Sequence, residues 1–304
     1  MHRSTSRRLP IAPSHPRTLA PSHRRTLAPV LAIILALAVA AAEAQAPAAG
    51  AGGRGRNPAP QPEAAPPLPL SALAPENLNK ARPKAPFDLT GNWFITGGVP
   101  GGGWLFGRTA EVLPKLKPNA QKHFDAYAAA VKEGKVYRDD IGQCWPAGMP
   151  IIMTRVWPIA MIQMPTAIYM VSEFMNSFRV IYLDGRPHTD PDVVVRTFNG
   201  ESIGRWEGDT LVVDTRHFTD LEKHWVDQGI PASGELRMIE RYRLINDGNV
   251  LEGEWILTDP KNWVGEFKGT RRWNRVNDID IEEVSCLPDL NEHLQSTSSK
   301  VHVR

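Results

Sequence analysis

Over the second half of the chain, apolar and polar residues alternate in short runs. IAMIQMPTAIYMVSEFM, SFRVIYLDGRP, VVVRTF, SIGRWEG, DTLVVDTRHF, ELRMIERYRLIN, NVLEGEWILTDP and FKGTRRWNRV are rich in Val, Ile, Tyr, Trp and Thr. DG, NG, EGD and NDGN turn signals separate them. About eight strands at this spacing, with no helical pattern between them, predict an all-β fold: a single antiparallel barrel or sandwich. Met238, Glu240 and Tyr242 alternate with Arg237, Ile239 and Arg241. Polar residues recur too often for both sheet faces to be dry, so a barrel with one apolar and one mixed face fits best. Upstream, Phe87–Thr96 forms a further extended run. One short amphipathic helix is predicted near the N-terminal end of the domain, in PNAQKHFDAYAAAVKEGK. Pro118 suits its start, Gly134 its stop, and Ala120, Phe124, Tyr127 and Val131 one face.

The stretch SIGRWEGDTLVVDT reads as a hairpin. With Gly208-Asp209 as its two-residue turn, Glu207 pairs with Thr210, Trp206 with Leu211, Arg205 with Val212 and Ile203 with Asp214. Ser202, Gly204, Trp206, Leu211, Val213 and Thr215 then share a packing face, with Gly204 making room for the Trp206 indole. Arg205 and Asp214 lie diagonally on the other face, within salt-bridge reach.

Charge and hydropathy set the chain's organisation. The N-terminal stretch holds Arg3, Arg7, Arg8, Arg17, Arg24 and Arg25, then VLAIILALAVAAA and AEAQA. A basic segment, a short apolar segment and small residues at a cleavage site predict a secretory signal over 1–44. HRRTLA before the apolar run also has some twin-arginine character. Residues 45–86, dominated by Ala, Pro and Gly, are expected to form a disordered linker. The barrel domain is expected at 87–290 and a flexible tail at 291–304. The formal charge of +2 owes much to the leader's arginines, leaving the remainder near neutral and giving no footprint for nucleic acid. No stable membrane insertion is expected after signal cleavage, so the protein would be periplasmic or secreted. Cys144 and Cys286 are the only two cysteines, and in an exported protein they are expected to pair.

Candidate chemistry is sparse. The glycine-rich loop GGVPGGGWLFGR lacks the Gly-Lys-Ser/Thr ending of a phosphate cradle. No Gly-x-Ser-x-Gly elbow or His-Glu-x-x-His helix appears. His217 and His224, seven residues apart, would need a third ligand such as Asp220 or Asp227 to hold a metal, and neither metal nor cofactor is expected. Glu173, Glu240 and Asp259 fall on interior strands or their ends, where pairing with Arg179, Arg241 or Arg243 is the commoner outcome for a carboxylate.

CWPAGMP, RVIYLDGRPH, SIGRWEGDTLVVDTRHF, ELRMIERYR, ILTDP and a late cysteine together resemble a group of exported bacterial proteins of unassigned function, typified by GRWEGDTLVVDT. The resemblance covers most of 87–286 and implies a lipocalin-like barrel without implying a reaction. It departs at GIPASGEL, where Ala232 occupies the position of a histidine in the usual pattern.

Two functions remain open. In the first, the barrel binds a small apolar or aromatic molecule. Trp104, Trp157, Trp206, Met164 and Tyr169 would line the site, and Arg205 or Arg241 would orient a polar end. In the second, the barrel is an enzyme, a lyase, isomerase or hydrolase, in which His188, Asp184, Asp214 or Glu240 exchanges protons.

Overall fold

The computed structural model describes residues 68–95, 113–135 and 140–287. Nine strands close into a barrel in sequence order. They are β1 (Gly91–Phe94), β2 (Ile159–Gln163), β3 (Ala167–Ser172), β4 (Ser177–Tyr182), β5 (Glu201–Glu207), β6 (Thr210–Arg216), β7 (Arg237–Ile245), β8 (Val250–Thr258) and β9 (Phe267–Val276). Closure falls on β1, where Trp93 is opposed by Ile159 of β2 on one side and Arg275 of β9 on the other. The long run IAMIQMPTAIYMVSEFM folds back on itself as β2 and β3. They join through a turn in which the Met164 amide donates to the Ala167 carbonyl at 2.8 Å; Pro165, which has no N–H, fits the bend.

Strand pairing differs from expectation at one place. Every neighbouring pair is antiparallel except β4 and β5, which run parallel and share only the registers Ile181↔Ser202 and Tyr182↔Ile203. The cause lies in residues 183–200, which carry the chain back to the end of the barrel where β4 began before β5 starts. VVVRTF, expected as a strand, belongs to this crossover. It makes one isolated bridge, Thr197↔Phe218, and leaves Val193 and Val195 exposed. β-branched residues there supply propensity without a neighbouring edge to pair with.

The β5–β6 hairpin has the predicted register, from Glu201↔Arg216 to Glu207↔Thr210. Gly208 supplies the turn with a φ of +62°. Gly204 works differently from expectation. A Cβ there would lie 2.8 Å from Leu183 Cδ2 and 2.9 Å from Ile181 Cγ2, so its bareness admits aliphatic packing rather than the indole. Trp206 is half-buried and meets the edge of the Phe87 ring, with centroids 5.1 Å apart.

Inward positions fill the barrel with bulk. Trp93, Trp255, Trp273 and Tyr242 are all fully buried. Trp255 and Trp273 pack edge to face at 5.7 Å, and the Arg275 guanidinium lies 4.3 Å from the centre of the Trp93 ring. Such contacts contribute about 0.5–1.5 kcal/mol each beyond area burial. Helix α1 (Pro118–Lys132) buries Ala120, His123 and Ala130, while Val131 is exposed. The buried stripe is thus rotated from the predicted one, because His123 takes an inward place against the Trp225 ring at 5.2 Å. An imidazole counted as polar moved the predicted face.

Residues 68–86, assigned by composition to a linker, include a helical turn at Pro75–Leu78 with Ala72 and Asn77 buried. Arg82 of this segment donates to the Gln163 carbonyl at 2.9 Å. The leader, the glycine-rich loop with Trp104 and residues 288–304 lie outside the described residues. Beyond β9 the chain runs as a strap. Ile279 accepts from Asn92, Val284 exchanges two hydrogen bonds with Asn176, and Cys286 forms a disulfide with Cys144. Among the described residues no helix is long and apolar enough to cross a membrane.

Candidate functional site

The inner wall is mixed in a specific way: it carries a buried, mutually paired polar knot, while Arg271 on the same face is buried with its Nε unpartnered among the described residues. Arg179 of β4 and Glu240 of β7 form an ion pair with both side chains buried. Arg179 Nε donates to Ser202 Oγ at 2.9 Å, Nη1 to Glu240 Oε1 at 2.9 Å and to Met149 Sδ at 3.4 Å, and Nη2 to Thr215 Oγ1 at 2.8 Å and to Glu240 Oε2. All five guanidinium hydrogens are thereby placed. Glu240 also accepts from Thr215 and Tyr242, and the Trp255 indole donates to the Tyr242 hydroxyl at 3.2 Å. Burial, and then the Glu240 charge, push the Tyr242 hydroxyl well above its ordinary pKa, so it remains a donor. This knot is structural. Glu240, one of the four candidate proton carriers, has no face open to a substrate.

A second cluster lies on the outside, where the crossover meets the hairpin. His188 of the crossover, Glu201 at the start of β5 and His217 just after β6 each offer one ligand atom within 4.8 Å of the others. Glu201 is the centre. Its Oε2 lies 2.9 Å from His188 Nδ1, 2.9 Å from the donating Thr189 amide and 3.7 Å from His217 Nε2, while Oε1 accepts from the Thr189 hydroxyl at 2.6 Å. Asp214 Oδ2 stands 3.7 Å from His188 Nε2, a distance of electrostatic influence rather than a hydrogen bond. Arg216 and Arg237 hold Asp214, at 2.7 and 3.0 Å, and with His188 keep it ionised against its partial burial.

The two imidazoles are held differently. Asp214 and then Glu201 raise the His188 pKa over the opposing effect of burial, whereas burial lowers that of His217. For Glu201, burial works upward but is outweighed by hydrogen bonds from Thr189 and His188, and its pKa is lowered. His217 sits in the left-handed region with φ +59°. Its carbonyl accepts from the Thr197 amide at 3.3 Å, and the next bond, Thr219 amide to Thr197 carbonyl, spans 2.9 Å. Among the described residues, His188 Nε2 and His217 Nε2 are buried without hydrogen-bond partners.

Beside this cluster the short β4–β5 pairing opens a cleft of about 430 Å³. Phe178, Val180, Tyr182, Val194 and Val195 supply apolar walls, and Glu201 lines it too. Asn199 fixes its rim by donating to Ser177 Oγ at 3.0 Å and to the Phe178 carbonyl at 2.8 Å. That orientation leaves the buried Asn199 Oδ1 without a partner among the described residues.

Of the candidate proton carriers, the fold brings together only His188 and Asp214; Asp184 pairs with Arg186 at 2.6 Å instead. Glu201 and His217 complete the group, and His224 does not join it. His224 is fully buried, its ring 5.4 Å from that of Phe218, with Nε2 donating to the Met149 carbonyl at 2.8 Å. The candidate ligand-contacting residues do not converge inside the barrel. Arg205 and Arg241 both reach Glu207, at 2.6 and 3.0 Å, so the predicted Arg205–Asp214 bridge is replaced. Trp157 stacks on Phe174 at 6.2 Å, and Met164 and Tyr169 are half-buried. Asp259 is buried in a turn, accepting from Ser233, Lys261 and Asn262. No family model, curated protein or solved structure matches the chain.

Proposed function

We propose that this is an exported β-barrel protein, lipocalin-like in its sequential meander, that binds a small aromatic or aliphatic molecule bearing a hydrogen-bond donor. The site is the outer cleft at the β4–β5 seam, not the barrel lumen. The supporting observation is the cleft itself: about 430 Å³ between exposed Phe178 and Val195, with the Asn199 oxygen unpaired on its rim. That volume falls in the range of small-ligand sites, which pair apolar walls with few placed polar groups. The lumen offers less support, because Arg179, Glu240 and Tyr242 satisfy one another and aromatic rings fill the space around them, although the buried Arg271 Nε there has no hydrogen-bond partner among the described residues. Export is supported by the signal-like leader and the Cys144–Cys286 bond.

N-phenyl-1-naphthylamine, an apolar probe with a single N–H donor, tests the reading. Its fluorescence should rise and saturate with the native protein, and Phe178→Asp and Val195→Asp should each weaken binding at least about tenfold, as expected when a charge faces an apolar ligand. Both side chains are mostly exposed, so neither change threatens the fold. Undiminished binding in both variants would overturn the assignment, and loss on Trp206→Ala alone would return the site to the barrel mouth.

A further inference from the structure

The geometry points to a metal site: we infer that His188, Glu201 and His217 bind one divalent first-row transition ion of the zinc type. The inference is independent of what occupies the cleft. Hydrogen bonding among the three accounts for only part of the arrangement. Glu201 is satisfied by His188 and Thr189, yet His217, only 9 % exposed, aims Nε2 to within 3.7 Å of the same carboxylate oxygen and finds no partner. A buried nitrogen left unpaired costs about 1–3 kcal/mol. The backbone at His217 adds strain, since a φ of +59° is uncommon for a residue with a side chain. An ion accepting the Nε2 lone pair removes the first cost and gives a reason for the second.

Spacing and donor type agree. Tetrahedral bonds of roughly 2.0–2.1 Å place ligand atoms about 3.4 Å apart. Here Glu201 Oε2 stands 2.9 Å from His188 Nδ1 and 3.7 Å from His217 Nε2, and one ligand atom from each residue falls within 4.8 Å of the other two. Side-chain adjustments of under about 1 Å close the set. Two imidazoles and one carboxylate favour zinc-like ions over magnesium or calcium, which prefer oxygen. If His188 ligates through Nδ1, its other nitrogen faces Asp214, itself fixed by Arg216 and Arg237. A carboxylate at that position orients a ligating imidazole. Three protein ligands leave a fourth position for water or another small donor, and Glu201 places the ion at the edge of the cleft.

The test uses the mature, disulfide-intact protein purified without a histidine tag and stripped with chelator. Titration with Zn²⁺ by calorimetry should show one site per chain, and Co²⁺ should give the intense visible bands of tetrahedral coordination. His217→Asn removes the imidazole while keeping a residue that accepts left-handed backbone; it and His188→Ala should each weaken Zn²⁺ binding at least about tenfold. His224→Gln, whose imidazole is buried elsewhere, should bind as the parent does. Circular dichroism and melting temperature identify a variant that fails to fold, in which case Glu201→Gln supplies the replacement measurement. Absence of stoichiometric Zn²⁺ binding in the parent, or equal affinity in the folded ligand variants, overturns the inference, whatever the naphthylamine probe reports about the cleft.

Discussion

Breaking the buried pair inside the barrel gives the sharpest energetic prediction. Arg179→Met deletes the cation and leaves the Glu240 carboxyl without its partner among Thr215, Tyr242 and apolar rings. Glu240→Gln leaves the guanidinium facing a neutral amide. Either change strands one partner in a region where both side chains are at most 1 % exposed, and removing one member of such a pair costs about 3–5 kcal/mol. For a domain of this size that lowers the melting temperature by roughly 2–4 °C per kcal/mol, or about 6–20 °C. The double variant strands neither charge and gains apolar packing from methionine. Its loss should therefore fall at least about 2 kcal/mol short of the sum of the single losses, as coupled neighbours do. Urea unfolding with the disulfide intact, with calorimetry for the midpoints, provides the assay. Additive losses within about 0.5 kcal/mol, or single losses under about 1 kcal/mol, would refute the view that this network is mutually satisfied and dry.

The remaining predictions concern acid, redox and the two surface sites. His224 has its pKa lowered to about 4 by burial, below the ordinary histidine value near 6.5. The unfolded chain therefore takes up this proton first, and the contribution, complete above about pH 6.5, is lost as pH falls toward 4, amounting to about 3 kcal/mol. The stability difference between parent and His224→Gln should narrow by that amount over this interval; a constant difference would exclude His224 as the cause. Reduction of Cys144–Cys286, which spans 142 positions, should lower stability by as much as about 5 kcal/mol on the chain-entropy view, and no shift in the urea midpoint under reductant would refute that role. Phe178→Asp and Val195→Asp should each weaken naphthylamine binding at least about tenfold but leave zinc affinity intact. His217→Asn should do the reverse.

What the sequence revealed follows the range of each interaction. Register in β5–β6 was legible because a glycine turn and alternating apolar residues fix it locally. The ion pairs decorating that hairpin were not, because Asp214 meets Arg237 of the next strand and Arg216 two places along, both better placed than Arg205. The parallel step at β5 was hidden because VVVRTF carries strand composition without strand partners. His188 stands out in the sequence for its loop, yet its companions are 13 and 29 positions away in sequence. One signal is available: extending the hairpin two pairs beyond Ile203–Asp214 puts Glu201 on the outer face with Ile203 and Asp214, opposite the residue before His217. His224, closer to His217 in sequence, was captured by Phe218 and Met149 in the core.

Parity explains why this ring has a parallel joint at all, and the crossover over 183–200 decides where it lies. Strands that alternate in direction can close a ring only in even numbers, so a nine-membered ring must contain a mismatch. An even number of strands would let the circle alternate throughout. The odd count thus guarantees this barrel one joint between parallel neighbours, here held by only two register pairs.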